Sequence, residues 1–137
     1  MSTRKQVRER LATLMAASDE FEEVYDYAPL DLRGKDRILC IYSDSTRHDM
    51  ISANMNNAFY RFYLETFALR RIDEATAEDA LDEMHEEIRK IIRQNVGDST
   101  WNELSLEEES DALFAQMAKE PYRVERHVLT VKVTSSS

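Results

Sequence analysis

The chain has 137 residues but only two glycines and two prolines, where average usage would give roughly sixteen of the two together; Gly34 and Gly97 lie too far apart to share a phosphate cradle, which excludes nucleotide binding of the GxGxxG or P-loop kind. A single cysteine, Cys40, excludes an intrachain disulfide and any zinc site built on two thiolates. Lysine and arginine number 18 against 27 aspartates and glutamates, a net charge of −9, which repels phosphate backbones and argues against a general nucleic-acid binder.

This length fits one domain, 1–137, with a real core and a frayed tail at 134–137. No apolar run approaches the ~18 residues of a membrane span, and the polar opening MSTRKQVRER leads into no signal-like stretch. The expectation is a soluble protein of a reducing compartment, with no membrane contact. Charge is uneven: residues 1–10 carry four bases against Glu9, whereas 73–111 carry fourteen acids and three bases.

Val7, Leu11, Leu14 and Met15 recur at helical spacing behind Ser2 or Thr3, either able to cap, and predict an amphipathic helix over 3–17. Its basic residues read as a solvated face with acidic partners inside or beside the chain. FEEVYDY at 21–27 and RILCIY at 37–42 are β-branched and aromatic and flank a turn segment with Pro29 and Gly34, so they predict two neighbouring strands. In the second, Ile38, Cys40 and Tyr42 share one face and Leu39 and Ile41 the other, both apolar, which places it in the sheet interior. Cys40 reads as a core thiol.

Residues 43–57 (SDSTRHDMISANMNN) are polar without a period and predict a long interaction loop. Residues 58–69 then predict a long strand with Tyr60, Phe62, Leu64, Thr66 and Ala68 on its core face. Its other face mixes Phe59, Arg61, Tyr63, Glu65 and Phe67, a pattern that fits a surface meeting another subunit, with a partly covered sheet face as the alternative. Residues 76–95 predict the long central helix, with Thr76 as N-cap, acids in the first turn, Arg89, Lys90 and Arg93 near the end, and Gly97 as the left-handed stop. Residues 106–119 suit a helix by propensity, with a strand at 112–118 as competitor. Residues 122–133 are β, but Tyr122 and Val124 have opposite parity to Leu129, Val131 and Val133, which predicts a bulge or bend near Arg126–His127.

Chemistry finds little foothold. His48, His85 and His127 have no second histidine at metal-ligand spacing, and Met84-His85-Glu86-Glu87 lacks the second histidine of HExxH. Asp44, His48 and Asp49 form a weak ion-binding candidate in the loop. No Gly-x-Ser-x-Gly elbow surrounds Ser43, Ser45 or Ser110. No catalytic residue, cofactor site or metal site is assigned, and the chain reads as a non-enzyme.

The succession of FYRFYLETFAL, ATAEDALDE, an isoleucine-ended helix, Trp101-Asn102-Glu103-Leu104 and finally PYRVER entering a last strand, behind VYDYAPLDLRGKDRILCIYS, resembles the tail-terminator, or tail-completion, proteins of long-tailed bacteriophages over roughly residues 5–133. The resemblance implies an α/β (α+β) subunit whose mixed, mainly antiparallel sheet is flanked by the N-terminal and central helices. It implies a homo-oligomeric ring, commonly of six, at the head-proximal end of the tail tube in the virion neck. That ring would contact tube protein and the head-tail connector or stopper, and would pass DNA without sequence-specific binding. Before assembly the subunit would reside in host cytoplasm. The family pattern also implies a strand at 112–118, although this sequence lacks the glycine often found in the following turn. Interface candidates are Phe59, Arg61, Tyr63, Glu65 and Phe67, with Asp44, Arg47 and Met50 from the loop. A stopper component of the neck is the alternative within this class, and a small acidic enzyme or regulatory module the alternative outside it.

Overall fold

A computed structural model describes residues 2–70 and 73–136, Ser136 through its backbone alone. The elements run α1 (Arg4–Ala16), β1 (Glu23–Tyr25), β2 (Ile38–Ser52), β3 (Met55–Leu69), α2 (Glu74–Gln94), β4 (Glu103–Leu106), β5 (Asp111–Met117) and β6 (Glu120–Ser136). The six strands form one sheet in the order β1-β2-β3-β6-β4, with β5 beside β4 along the same edge of β6. The β1–β2 pair is parallel and all others antiparallel, so the fold is α+β with a mixed, mostly antiparallel sheet.

Thr3 caps α1 in a full capping box: its hydroxyl accepts from the Gln6 amide while the Gln6 side chain accepts from the Thr3 amide. Val7, Leu11 and Met15 then fall on one buried stripe. The central helix starts earlier than its pattern implies. Asp73, not Thr76, is the N-cap, its carboxylate accepting from the Thr76 amide at 2.9 Å, because Asp satisfies the orphan amides of the first turn as well as Thr does. Gly97 does not stop the helix in a left-handed turn; among the described glycines only Gly34 has positive φ. Instead the Asn95 side chain donates to the Ile91 carbonyl and the Trp101 indole donates to the Asn95 carbonyl. These partners satisfy the end of the helix without αL geometry.

Both helices cover one face of the sheet. Their apolar stripes meet Leu39 and Ile41 of β2, Ala58, Tyr60, Phe62 and Leu64 of β3, and Leu129, Val131 and Val133 of β6. A second, smaller core lies on the opposite face, where Leu32, Ile38, Cys40, Phe67, Leu69, Tyr122 and Val124 gather. The Tyr122 hydroxyl donates to the Lys35 carbonyl, and Asp36 accepts from the Leu69 amide, which holds the 26–36 segment over that core.

Two cores explain the parity switch in β6. No bulge is present: β6 pairs with β3 in unbroken register from Tyr122 to Ser136. Tyr122 and Val124 face one core, and Leu129, Val131 and Val133 the other. The expected frayed tail at 134–136 is also strand, paired with Met55–Asn57, and Ser137 lies outside the described residues. Asp111–Met117 is strand rather than helix, with Ala118 already in the following turn, because the open edge of β6 offers ladder partners that outweigh propensity.

Candidate functional site

The main departure from sequence expectation is the segment 43–57. It is no loop: β2 runs through it, turns at Ala53-Asn54 and returns as β3. The resulting arm is the outer end of the sheet: its β3 half is paired on the other side with β6 out to Ser136 and buries Ala58 and Tyr60, while its β2 half, over 44–52, is the largely exposed outer strand. Residues 44–52 meet no alternating apolar requirement because this outer strand buries neither face, which is why they carry no period. The tip is apolar all the same. Met50 is 80% exposed, Ile51 56% and Met55 41%.

Register shifts between Ser43 and Ser45 and between Met50 and Ser52 interrupt the arm, and bulges of this kind increase local twist and re-aim side chains. The first leaves Asp44 outside the pairing, with its carboxylate 3.3 Å from the Arg61 guanidinium. Arg61 also meets Glu107 at 3.3 Å. Arg47 lies over the Phe59 ring at 4.4 Å and Arg126 over the Tyr63 ring at 4.5 Å. Glu65 accepts from the Tyr42 hydroxyl and from Arg126. Burial, and then the Glu65 carboxylate, pushes the Tyr42 phenol well above its ordinary value.

The structure therefore brings Asp44, Arg47, Phe59, Arg61, Tyr63 and Glu65 onto one half-covered sheet face, in which charges and rings already partner one another. Two candidates fall elsewhere. Phe67 is buried edge-on against Tyr122, 5.9 Å between ring centroids, in the second core, and is not a surface residue. Met50 sits at the arm tip and pairs across the arm with Asn56. The ion candidate of the arm does not assemble: Asp44 pairs with Arg61 and Asp49 with Arg47, while His48 packs toward the Tyr60 ring.

No protein-family model and no curated protein matches the chain. The functional reading rests on the sequence and this geometry.

Sequence spacing misses two features because each is built across elements. The first is a groove of about 730 Å³ between α1 and the arm, lined by Arg4, Lys5, Arg8, Thr46, His48 and Tyr60. There Arg4 donates to the Thr46 hydroxyl, and Arg8 to Ser43 at the arm's root. The second joins His85 of α2 with Glu125 and His127 of β6. His85 Nδ1 lies 3.3 Å from Glu125 Oε2, and His127 Nε2 lies 3.5 Å from Glu125 Oε1. Burial opposes ionisation of Glu125, but His127 and the donating Ser110 hydroxyl outweigh it and hold the carboxyl below its usual value. Glu125 and His127 are two apart on a strand and so share a face; only the topology reveals that this face meets His85.

Cys40 lies in the second core as expected of a packing thiol. Burial, reinforced by Glu65, pushes its pKa up to about 12, far from the thiolate that nucleophilic chemistry needs.

Proposed function

We propose that this chain is a ring-forming virion subunit of the tail-terminator type, which closes on the head-proximal end of a phage tail tube, stops its growth and presents a surface to the head connector. The observation that carries the reading is the arm. Beyond its short pairing with β1 at 38–40, β2 is an exposed outer strand among the described residues, an edge that invites pairing with another chain, and a tip of Met50, Ile51 and Met55 gains from burial there. At the far end of the sheet Leu113 and Phe114 of β5 are also exposed, on opposite faces. The strand running from the tip to that end, β3, has 15 residues and so spans roughly 45–50 Å at ~3.3 Å per residue.

A tip at one end that seats on a different surface of the next copy makes a heterologous, head-to-tail contact, which closes into a ring when its rotation permits. An arm reaching onto the next subunit is such a contact. The −9 charge per chain supports the same reading, since an acidic ring lets DNA pass without gripping its phosphates. On this reading the chain is a structural subunit without catalysis of its own, in the virion neck after assembly.

The test mixes purified tail tubes with wild-type protein and with the Met50→Ser/Ile51→Ser double variant, and images both by negative-stain electron microscopy. Wild type should cap one end of each tube, and the variant, with an unchanged circular dichroism spectrum, should leave ends bare. Capping by the variant at wild-type occupancy would remove the arm from the account. Binding to DNA-filled capsids but not to tubes would replace the terminator with a stopper.

A further inference from the structure

We infer that His85, Glu125 and His127 form a binding site for a borderline divalent transition metal of the zinc class, which clamps α2 to β6. The site lies within one chain and goes beyond the assembly role, being independent of any ring. His85 Nδ1, His127 Nε2 and a carboxylate oxygen of Glu125 all lie within 4.8 Å of one another. Each imidazole nitrogen already stands near one of the two Glu125 oxygens, His85 Nδ1 at 3.3 Å from Oε2 and His127 Nε2 at 3.5 Å from Oε1, close to the roughly 3.3 Å between ligands of a tetrahedral ion with bonds of about 2.0–2.1 Å, so the carboxylate faces both donors.

The second observation is that the facing nitrogens, although at ion-pair distance from Glu125, make no hydrogen bond of good geometry. His85 Nδ1 and His127 Nε2 are shielded from solvent and neither has a hydrogen-bond partner among the described residues, although His127 is only 2% exposed. A buried imidazole nitrogen without a partner costs free energy, and both point at the same carboxylate. A cation between the three groups would satisfy them together. The position of Glu125 is fixed by the Ser110 hydroxyl, 2.6 Å from Oε2, the arrangement of an outer-shell partner that orients a ligating carboxylate.

Donor type selects the metal. Two imidazoles and one carboxylate are a poor match for calcium or magnesium, which take six or more oxygens, and a good match for zinc or cobalt. Three protein ligands leave one tetrahedral position, and the His85 side chain, 28% exposed, marks the side from which water would fill it. Nearby charge is favourable: Arg123, the adjacent cation on this face, is neutralised by Glu78 at 2.6 Å, and the solvent side of α2 is acidic.

The test titrates metal-free full-length protein with zinc chloride by calorimetry and follows cobalt chloride by visible absorption. Wild type should bind one ion per chain with a raised Tm, and cobalt should show the intense bands of four-coordination. His85→Ala keeps the buried strand residues and should fold, as checked by its metal-free Tm, but bind zinc more than ~100-fold more weakly. Glu125→Gln should lose as much. Ser110→Ala should fall within the ~10–100-fold typical of an outer-shell loss. Absence of zinc binding by wild type, a six-coordinate cobalt spectrum, or wild-type affinity in either ligand variant overturns the assignment.

Discussion

Asp98 shows how a single carboxylate fastens one element to another. It sits in the connection between α2 and β4 and accepts from Arg10 of α1 at 3.2 and 3.3 Å, and from the Thr100 amide at 3.1 Å. The Arg10 guanidinium, aided by Thr100 against the cost of burial, holds the carboxyl below its ordinary 3.8. A folded-state pKa below the unfolded value means a contribution to stability that is present above 3.8 and lost as the pH falls through the folded value. Asp98→Asn should therefore lower Tm at neutral pH, and the gap from wild type should narrow as the pH is taken below 3.8. Thermal melts of both proteins over an acid series check this; a gap independent of pH would mean that Asp98 acts through its turn geometry alone. The basic face of α1 was legible in sequence as needing acidic partners, but its partner, 88 positions along the chain, was not.

At the scale of elements, the β5–β6 hairpin carries a measurable cost. Met117 pairs with Glu120, so its turn is the two residues Ala118 and Lys119, with φ of 50° and 73°. Two consecutive left-handed residues are the geometry of a type I′ turn, which favours Asn-Gly because side chains with Cβ atoms lose roughly 1–2 kcal/mol each there. Ala118→Asn with Lys119→Gly should stabilise the fold by about 1–2 kcal/mol, read as a higher denaturation midpoint with an unchanged m-value. An unchanged midpoint would show that the turn is not held in this conformation in solution.

The same hairpin marks the limit of reading elements from sequence. Strongly periodic segments with one buried face, α1, α2 and β3 from Ala58 onward, were legible because burial imposes a period. Residues 44–52 were not, because this outer strand buries neither face and is held by ladder hydrogen bonds, which any side chain permits. β5 was ambiguous because its helix-favouring residues are overruled by the edge of β6. In β6 the parity switch was visible, but a bulge was the wrong cause; one straight strand serves two cores on opposite faces. The candidate interface face was legible as an aromatic and charged alternation, except at Phe67, where the second core begins. The histidine cluster left no local trace.

At the scale of the whole molecule, the arm and the net charge act in opposite directions on assembly. Each chain brings −9 to its neighbours, and like-charged subunits repel over about a Debye length, ~10 Å at 0.1 M salt and ~3 Å at 1 M. The exposed tip residues Met50, Ile51 and Met55 carry no charge, so a contact made by them is not weakened by screening. Many charges on the interface face are already paired inside the chain, as Arg61 is with Asp44 and Glu107 and Arg126 with Glu65, and have little to offer a neighbour. Under the proposed ring, raising salt should therefore strengthen self-association: sedimentation velocity at fixed protein concentration should show the heavier species growing from low to high sodium chloride. An oligomer that dissociates on adding salt would require intersubunit ion pairs as the main adhesive, and would move the contact from the arm tip to the basic groove beside α1.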